Sequence, residues 1–195
     1  AWLGNDDFNS TTAGLAMGVQ QPTGMFVIVA GGGTSSSRWS SVDTIARYAY
    51  NSLITRSIPD SHIYFLHPQH GTDNAPSGST AVPTAANLEY AIETWAANLV
   101  DVSDAASVSG TPLTVIMADS GIQNYIYLDT SVTLSASDLN TSLDNFLTNV
   151  QARFSDGKTT PGAVPVNIII ESNKSGSFID ELTGAARYIF SATDS

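Results

Sequence analysis

Residues 167–178, which read NIIIESNKSGSF, decide the fold of this chain. The apolar run over 166–170 is typical of a buried strand, and it gives way at Glu171 to a polar turn. The Ser-Gly-Ser sequence at 175–177 then leads into a predicted short helix. A strand that ends in this way delivers polar side chains to the rim of an α/β sheet, where such folds bind their ligands. The stretch therefore predicts an α/β fold with a site at one edge of its sheet.

Similar apolar runs recur along the chain and alternate with helical patterns. Strands are predicted over 25–30, 62–66, 113–118, 166–170 and 187–192, with a small hairpin of 125–128 and 132–134 inserted after the third. Helices are predicted to begin at Ser40 or Ser41, after the N-cap Thr84, and at Ser137. Strands that alternate with helices form βαβ units. The pattern predicts a three-layer sandwich with a mostly parallel central sheet and helices on both faces.

The predicted strands and helices define one domain over residues 24–195. Residues 1–23 carry no clear period and are expected to form an arm that leads into it. A length of 195 residues fits a single domain of this kind, because such a chain buries most of its unfolded surface.

Charge and composition exclude several partners. With seven Lys and Arg residues and a net charge of −11, the chain is not suited to bind a nucleic-acid backbone. No run approaches the ~20 apolar residues that a membrane-spanning helix needs, so no membrane insertion is expected. The absence of cysteine excludes disulfides and thiol catalysis. The Ser/Thr-rich, Lys-poor composition favours a secreted or cell-surface protein of a bacterium or archaeon.

From Met25 to the C-terminus, the sequence resembles the legumain-like peptidases, which are relatives of the caspases. The matching segments, in the family's order, are VAGGG (29–33), RYAY (47–50), NLEYAIETWA (87–96), TLSASDL (133–139), SGSF (175–178) and IFSATD (189–194). The resemblance implies a caspase-like three-layer sandwich. It also implies that the position of the catalytic nucleophile lies two residues before Ser175, the first residue of the segment SGSF.

Both catalytic positions of the resembled family hold other residues here. The family's Asp-His-Gly reads Asp119-Ser120-Gly121, and Asn173 stands in the place of the nucleophilic cysteine. An amide is not a usable nucleophile, and a hydroxyl without a nearby base is a poor one. The resemblance therefore implies a catalytically inactive member of the family, a pseudopeptidase. The residues that flank the vestigial positions Ser120 and Asn173 are Asp119, Gly121, Glu171, Ser175 and Gly176.

A binding cleft is expected at the same edge, with Arg38, Ser120, Asn173 and Ser191 as its candidate residues. In caspase relatives, an arginine beyond the first strand can hold an acidic side chain in the specificity pocket, and Arg38 has that place here. The triplet Gly31-Gly32-Gly33 lacks the lysine and spacing of a phosphate loop, so a tight turn is the better interpretation.

His67, His70 and Asp73 are close enough in the sequence to be candidate metal ligands. Two histidines in a loop are more often solvated side chains, so neither a metal nor a cofactor is predicted. The sequence also contains N-glycosylation sequons at Asn9, Asn140 and Asn173.

Three functions are compatible with these patterns. The leading hypothesis is a non-catalytic domain that binds another protein or other copies of itself, because a surface with little charge has less to desolvate on packing. The chain ends just after the fifth predicted strand, where the resembled fold continues, so an open sheet edge is expected. The alternatives are a hydrolase with Ser120 or Ser172 as a relocated nucleophile, and a module that binds a peptide in the vestigial cleft.

Overall fold

A computed structural model describes residues 24–102, 110–154 and 164–192 of the chain. Its strands are β1 (Met25–Ala30), β2 (Ile63–Leu66), β3 (Ser79–Ala81), β4 (Leu113–Ala118), β5 (Tyr125–Tyr127), β6 (Thr133–Ser135), β7 (Val166–Glu171) and β8 (Arg187–Ser191). Its α-helices are α1 (Trp39–Thr55), α2 (Ala85–Glu89), α3 (Ala97–Leu99), α4 (Ala136–Ala152) and α5 (Ile179–Leu182). Short 3-10 helices cover Asp60–His62 and Ser175–Phe178, and a π-helical stretch, Tyr90–Ala96, joins α2 to α3.

Six strands form one parallel sheet in the order β3-β2-β1-β4-β7-β8, and β5 pairs with β6 in a separate antiparallel hairpin. The central strands β1, β2 and β4 are apolar along most of their length because helices or the hairpin cover much of the sheet. This is the predicted α/β architecture, and the hairpin after the third predicted strand is confirmed.

Helices cover both faces of the sheet. On one face, α1 buries Val42, Ala46 and Tyr50 against Phe65 of β2 and its neighbours. The opposite face carries a larger core, to which the helices from α2 onward contribute. Its main helical members are Leu88, Ile92, Leu139, Leu143, Phe146 and Leu182. The predicted three-layer sandwich is therefore confirmed for the described residues.

The structure differs from the predicted elements in a few places. Strand β3 lies between the predicted strand 62–66 and the N-cap Thr84, where no strand is predicted. Its three small residues carry no apolar alternation that would indicate a strand. Helix α1 begins after Arg38 with no side-chain cap, so the predicted Ser40 or Ser41 cap is wrong. Thr84 does cap α2, and it is Ser135 rather than Ser137 that caps α4. The predicted arm, residues 1–23, lies outside the described residues.

None of the helices in the described part of the chain is long and apolar enough to cross a membrane. The prediction that no nucleic acid binds rests on charge alone and stays a prediction.

Candidate functional site

The strand order reverses direction between β1 and β4, which are adjacent in the sheet but far apart in the chain. In open parallel sheets, ligands bind in the crevice at the carboxyl ends of the strands at such a switch point. The loops that follow β1, β4 and β7 meet there, and they carry Arg38, Ser120 and Asn173, respectively. The sequence-predicted cleft residues are thus placed at the edge where this fold class binds ligands.

Asp119 is the buried polar residue at the end of β4. Its side chain is almost completely buried, and its Oδ2 accepts a 2.5 Å hydrogen bond from the Tyr127 backbone N–H. Ser120 Oγ lies 3.4 Å from Asp119 Oδ1. Burial raises the pKa of Asp119, while hydrogen bonds from the backbone of Ser120, Tyr127 and Gly121 oppose that rise. Asp119 therefore joins the end of β4 to the hairpin, with its carboxylate directed into the protein.

The glycines after β1 leave no room for side chains. A Cβ atom on Gly31 would collide with the Tyr127 carbonyl, and one on Gly32 would lie 2.7 Å from Asp119 Oδ1. Gly32 has a φ of +76°, and its N–H donates to the Tyr127 carbonyl over 2.8 Å. The backbone of Tyr127 thus bonds both the glycine turn and Asp119. This close approach supports the interpretation of the triplet as a tight turn.

Arg38 and Asn173 are brought together across the crevice. Arg38 Nη1 donates a hydrogen bond to Asn173 Oδ1, which joins the loop after β1 to the loop after β7. Arg38 is exposed and Asn173 is half-buried. A hydrogen bond between an exposed guanidinium and an amide is a contact that a ligand can replace at little cost.

The serines around Asn173 anchor the turn that holds it. Ser172 is buried, and its Oγ donates to the Asn173 carbonyl over 3.1 Å. Ser175 Oγ donates to the Ala192 carbonyl, and Ser177 Oγ accepts a 2.7 Å bond from the Asn124 N–H. The segment SGSF (175–178) therefore ties the turn after β7 to the end of β8 and to the hairpin. Its serines are engaged in structural bonds.

The remaining predicted residues lie around this turn. Glu171 is exposed at the end of β7, Gly121 is buried against Ser172, and Gly176 lies in the 3-10 helix. Ser191 is one strand further out, on β8, and it pairs with Ile170 of β7. The structure therefore groups Arg38 with Asn173, and Ser120 with Asp119, while Ser191 lies on the neighbouring strand.

His67 is a structural residue that sequence reasoning misjudged. It is completely buried, which contradicts the view of His67 as a solvated loop side chain. Its Nε2 lies 2.8 Å from Asp43 Oδ1, and its Nδ1 accepts a 3.2 Å bond from the Gln69 N–H. Because Nδ1 accepts, the ring is neutral with its proton on Nε2. Burial lowers the pKa of His67, in agreement with that tautomer.

A cavity of about 410 Å³ lies away from the crevice, beside α4 and the beginning of β8. Arg187 and Asn140 are among its lining residues, and Arg187 Nη1 donates to Asn140 Oδ1 over 2.5 Å. Of the three sequon asparagines, Asn140 accepts a hydrogen bond from Arg187, and Asn173 accepts one from Arg38. The third, Asn9, lies outside the described residues. The polar crevice and this cavity are separate features.

Comparisons with known proteins add no relative. No protein-family model matches the chain, and no curated protein matches it significantly. Within the described residues, no group of three His, Asp or Glu side chains is arranged to hold a metal ion. The crevice offers four chemical groups, namely a guanidinium, an amide, a hydroxyl and a buried carboxylate.

Proposed function

We propose that this chain is a non-catalytic, caspase-like domain that works by binding proteins, including other copies of itself, outside the cell. The resemblance to legumain-like peptidases supplies the caspase-like assignment, and the α/β sandwich is compatible with it. The Ser/Thr-rich composition with few lysines supports the extracellular location. The contacts of Ser120 and Asn173 support the non-catalytic part of the proposal.

The observation that carries the proposal is the hydrogen bond from Arg38 to Asn173. At the position of the nucleophile in the resembled family, this chain has an amide that accepts a bond from an arginine. Such a pair can recognise polar groups, but neither member is a nucleophile or a general base at neutral pH. The site therefore retains binding chemistry and not the groups for peptide cleavage.

The histidines of the chain support the same conclusion. A serine hydrolase needs a base within hydrogen-bond reach of its hydroxyl. The three histidines have other partners: His62 contacts the Gly24 carbonyl, His67 contacts Asp43, and His70 contacts Ser79. Ser120 has the buried carboxylate of Asp119 as its neighbour, at a long 3.4 Å. A relocated serine nucleophile at Ser120 thus lacks a histidine to activate it.

A serine-directed fluorophosphonate probe tests the non-catalytic proposal. We expect the wild-type chain and the matched variant Ser120→Ala to show the same background labelling, and neither to cleave a peptide library. Ser172→Ala serves as a second matched variant, because Ser172 was the other serine considered. Labelling of the wild type that disappears in either variant would overturn the proposal in favour of a relocated hydrolase.

A second experiment tests the resemblance itself. The variant N173C is compared with the double variant S120H/N173C in the rate of alkylation by iodoacetamide at pH 7. If both positions correspond to the family's catalytic pair, the introduced histidine stabilises the thiolate, and alkylation becomes several-fold faster. The variant Y48C, on the exposed side of α1, reports the rate of an ordinary surface thiol. Equal rates for the single and double variants would contradict the assignment of these positions.

Peptide binding in the crevice is a second candidate, which the exposed position of Arg38 favours. An acidic side chain can replace the Asn173 amide as the partner of the guanidinium, because a carboxylate is a stronger acceptor. Fluorescence anisotropy with labelled Asp-containing and Asn-containing peptides measures this binding. Binding of the Asp peptide that is lost in Arg38→Ala supports it, and equal binding by both proteins contradicts it.

A further inference from the structure

Strand β8 forms an edge of the sheet that carries few of the usual protections. In the described part of the chain, no strand pairs with its outer side. Edge strands are usually blunted by lysine, proline, bulges or very short length. β8 has five residues, RYIFS, with no lysine and no proline. Its one charged residue, Arg187, has a side chain that is only 3% exposed and bonds Asp144 at 2.5 Å.

Two aromatic side chains project from this edge on the same face of the sheet. Tyr188 is 56% exposed and Phe190 is 59% exposed. Phe190 is paired with Ile169 of β7, which is itself 37% exposed. The three side chains form an apolar patch on the face of the sheet that α1 packs against. The patch lies at the β8 edge, beyond the part of that face that α1 covers. We call these residues, Ile169, Tyr188 and Phe190, the edge patch.

The backbone of β8 directs a defined set of hydrogen-bonding groups away from β7. The Val166 N–H donates to the Ala186 carbonyl at one end, and the Ala192 N–H donates to the Ile170 carbonyl at the other. In a parallel ladder, the residues that bond a given neighbour alternate along the strand. The even-numbered residues from 186 to 192 therefore bond β7, and residues 187, 189 and 191 face outward. The Arg187 N–H already donates to the Gly184 carbonyl over 3.3 Å. The groups left for an added strand are the Arg187 carbonyl and the N–H and C=O groups of Ile189 and Ser191.

We infer that a second copy of this chain pairs with β8 in antiparallel fashion, with a two-fold axis at Ile189. This inference rests on the assembly part of the proposed function and names the surface and the partner. Centred on Ile189, Arg187 of each copy lies opposite Ser191 of the other. The two Ile189 residues then bond each other, and the Arg187 carbonyl of each copy accepts from the Ser191 N–H of the other. Tyr188 then lies directly opposite Phe190 of the second copy, on the same face of the joined sheet.

Side-chain chemistry favours a second copy as the occupant. Directly opposite aromatic residues stabilise antiparallel pairs, and no like charges meet across the axis. A two-fold interface is self-complementary, as this strand is about its central residue. Two neighbouring registers, centred on Tyr188 or on Phe190, also pair outward groups, but they align three strand residues instead of five.

The area that the two joined edges bury is small, which is typical of a weak dimer. Each aromatic side chain offers roughly 100 Å² beyond what it already buries. The joined edges thus bury less than the ~1,200 Å² of a standard stable interface, which is the range of weak complexes. The net charge of −11 on each copy also opposes association, and salt screens that repulsion. The dimer is therefore concentration-dependent and is strengthened by salt.

Cysteine cross-linking tests both the dimer and its register, because the chain has no cysteine of its own. Residues directly opposite in a non-hydrogen-bonded antiparallel pair lie at a Cα separation that a disulfide can bridge. A mixture of Tyr188→Cys and Phe190→Cys chains is oxidised and compared with each variant alone. We expect the mixture to give at least a fivefold higher yield of covalent dimer than either variant alone. Tyr48→Cys, an exposed aromatic position on α1, is the matched control and sets the collisional background.

The alternatives give different results. Efficient cross-linking of Tyr188→Cys alone, or of Phe190→Cys alone, would overturn the register centred on Ile189. Yields at the Tyr48→Cys background would overturn the pairing itself and leave another segment or another protein as the occupant of the edge. Sedimentation of the wild-type chain from 10 to 500 µM gives a second measurement that needs no variant. A larger weight-average mass at high concentration, increased by added salt and lost in Tyr188→Ser but not in Tyr48→Ser, supports the dimer.

These results are independent of the test for catalysis. If the chain is monomeric and fluorophosphonate does not label it, the dimer is contradicted and the non-catalytic proposal stands. If the chain is dimeric and Ser120 is labelled, the dimer is supported and the non-catalytic proposal is contradicted.

Discussion

Two polar clusters lie at the same edge of the sheet, and they differ in how completely their hydrogen bonds are satisfied. In the first, His67 is fully buried after β2 and has a partner at each ring nitrogen. In the second, buried Asp119 leads outward to Ser120 and to the more exposed pair of Arg38 and Asn173. A fully satisfied cluster holds elements in place, while a cluster with exposed members can exchange its partners for a ligand. Position at the strand ends is therefore not enough to identify a site.

The largest effect on stability is expected for His67→Ala. The change leaves a cavity between Trp39 and Phe65, whose rings pack against the imidazole. It also removes the acceptor of the Gln69 N–H and one of the two partners of Asp43, which keeps Arg47. We expect a loss of about 2–4 kcal/mol in the free energy of unfolding, measured by urea denaturation. His67→Gln keeps a donor for Asp43 and should lose less. Equal stability of His67→Ala and the wild type would show that the first cluster is not structural.

A smaller loss is expected for Asp119→Ala. The buried N–H of Tyr127 loses its acceptor, which costs about 1–3 kcal/mol in the free energy of unfolding. Asp119→Asn, which retains an acceptor oxygen, is the matched control and should be less destabilised. A loss in Asp119→Ala that exceeds that of His67→Ala would reverse the order of the two clusters.

Acidification should affect the first cluster specifically. The pKa of His67 is lowered in the fold from its ordinary value of 6.5, so the neutral ring is favoured. Its contribution to stability is present above that ordinary value and is lost as the pH falls through the lower folded pKa. We expect the wild-type chain to lose more stability than His67→Gln between pH 7.5 and pH 5, measured by thermal or urea unfolding. Identical pH profiles would show that His67 does not titrate in this range.

The burial of Asp119 makes the stability contribution of the second cluster depend on pH in the opposite sense. Its pKa is raised, so its contribution to stability is present below the unfolded pKa and is lost as the pH rises through the folded pKa. The variant Asp119→Asn removes this opposing contribution. The pH dependence that His67 causes is therefore measured most cleanly in that variant. The two clusters therefore respond to pH in opposite directions.

The smallest effect is expected for Arg38→Ala and Asn173→Ala. Each removes one bond between groups that are at least partly exposed, so the free energy of unfolding should change by no more than about 0.5 kcal/mol. Double-variant analysis by urea denaturation checks whether the two changes are coupled. A loss comparable to that of Asp119→Ala would mean that the pair is structural, and the distinction between the two clusters would fail.

The sequence predicted the central sheet well because both faces of its main strands are buried. Runs such as MFVIVA of β1 and LTVIMA of β4 are unbroken apolar segments, and no other structure accommodates them so readily between turns and amphipathic helices. Strand β3 could not be found in the same way. Its residues Ser79, Thr80 and Ala81 are held by backbone pairing with β2, which leaves no signature in side-chain type.

The site was predicted only in part. The order of the strands places Arg38, Ser120 and Asn173 at one edge, and this follows from the βαβ pattern. The role of Tyr127 could not be predicted, because its backbone rather than its side chain bonds Gly32 and Asp119. His67 did have a detectable signal. Ile63, Phe65 and His67 alternate with period two, which puts the imidazole on the buried face beneath α1.

The backbone bonds of Tyr127 also bear on how the chain folds during synthesis. The glycine turn after β1 is held by the Tyr127 carbonyl, and Asp119 is held by the N–H of the same residue. A ribosome that adds ~5–20 residues per second makes Tyr127 roughly 5–20 s after Gly32. Until then the turn lacks this acceptor, although β1 and α1 both precede Tyr127 in the chain. The glycine turn and Asp119 thus reach their final arrangement only after the hairpin that carries Tyr127 has been made.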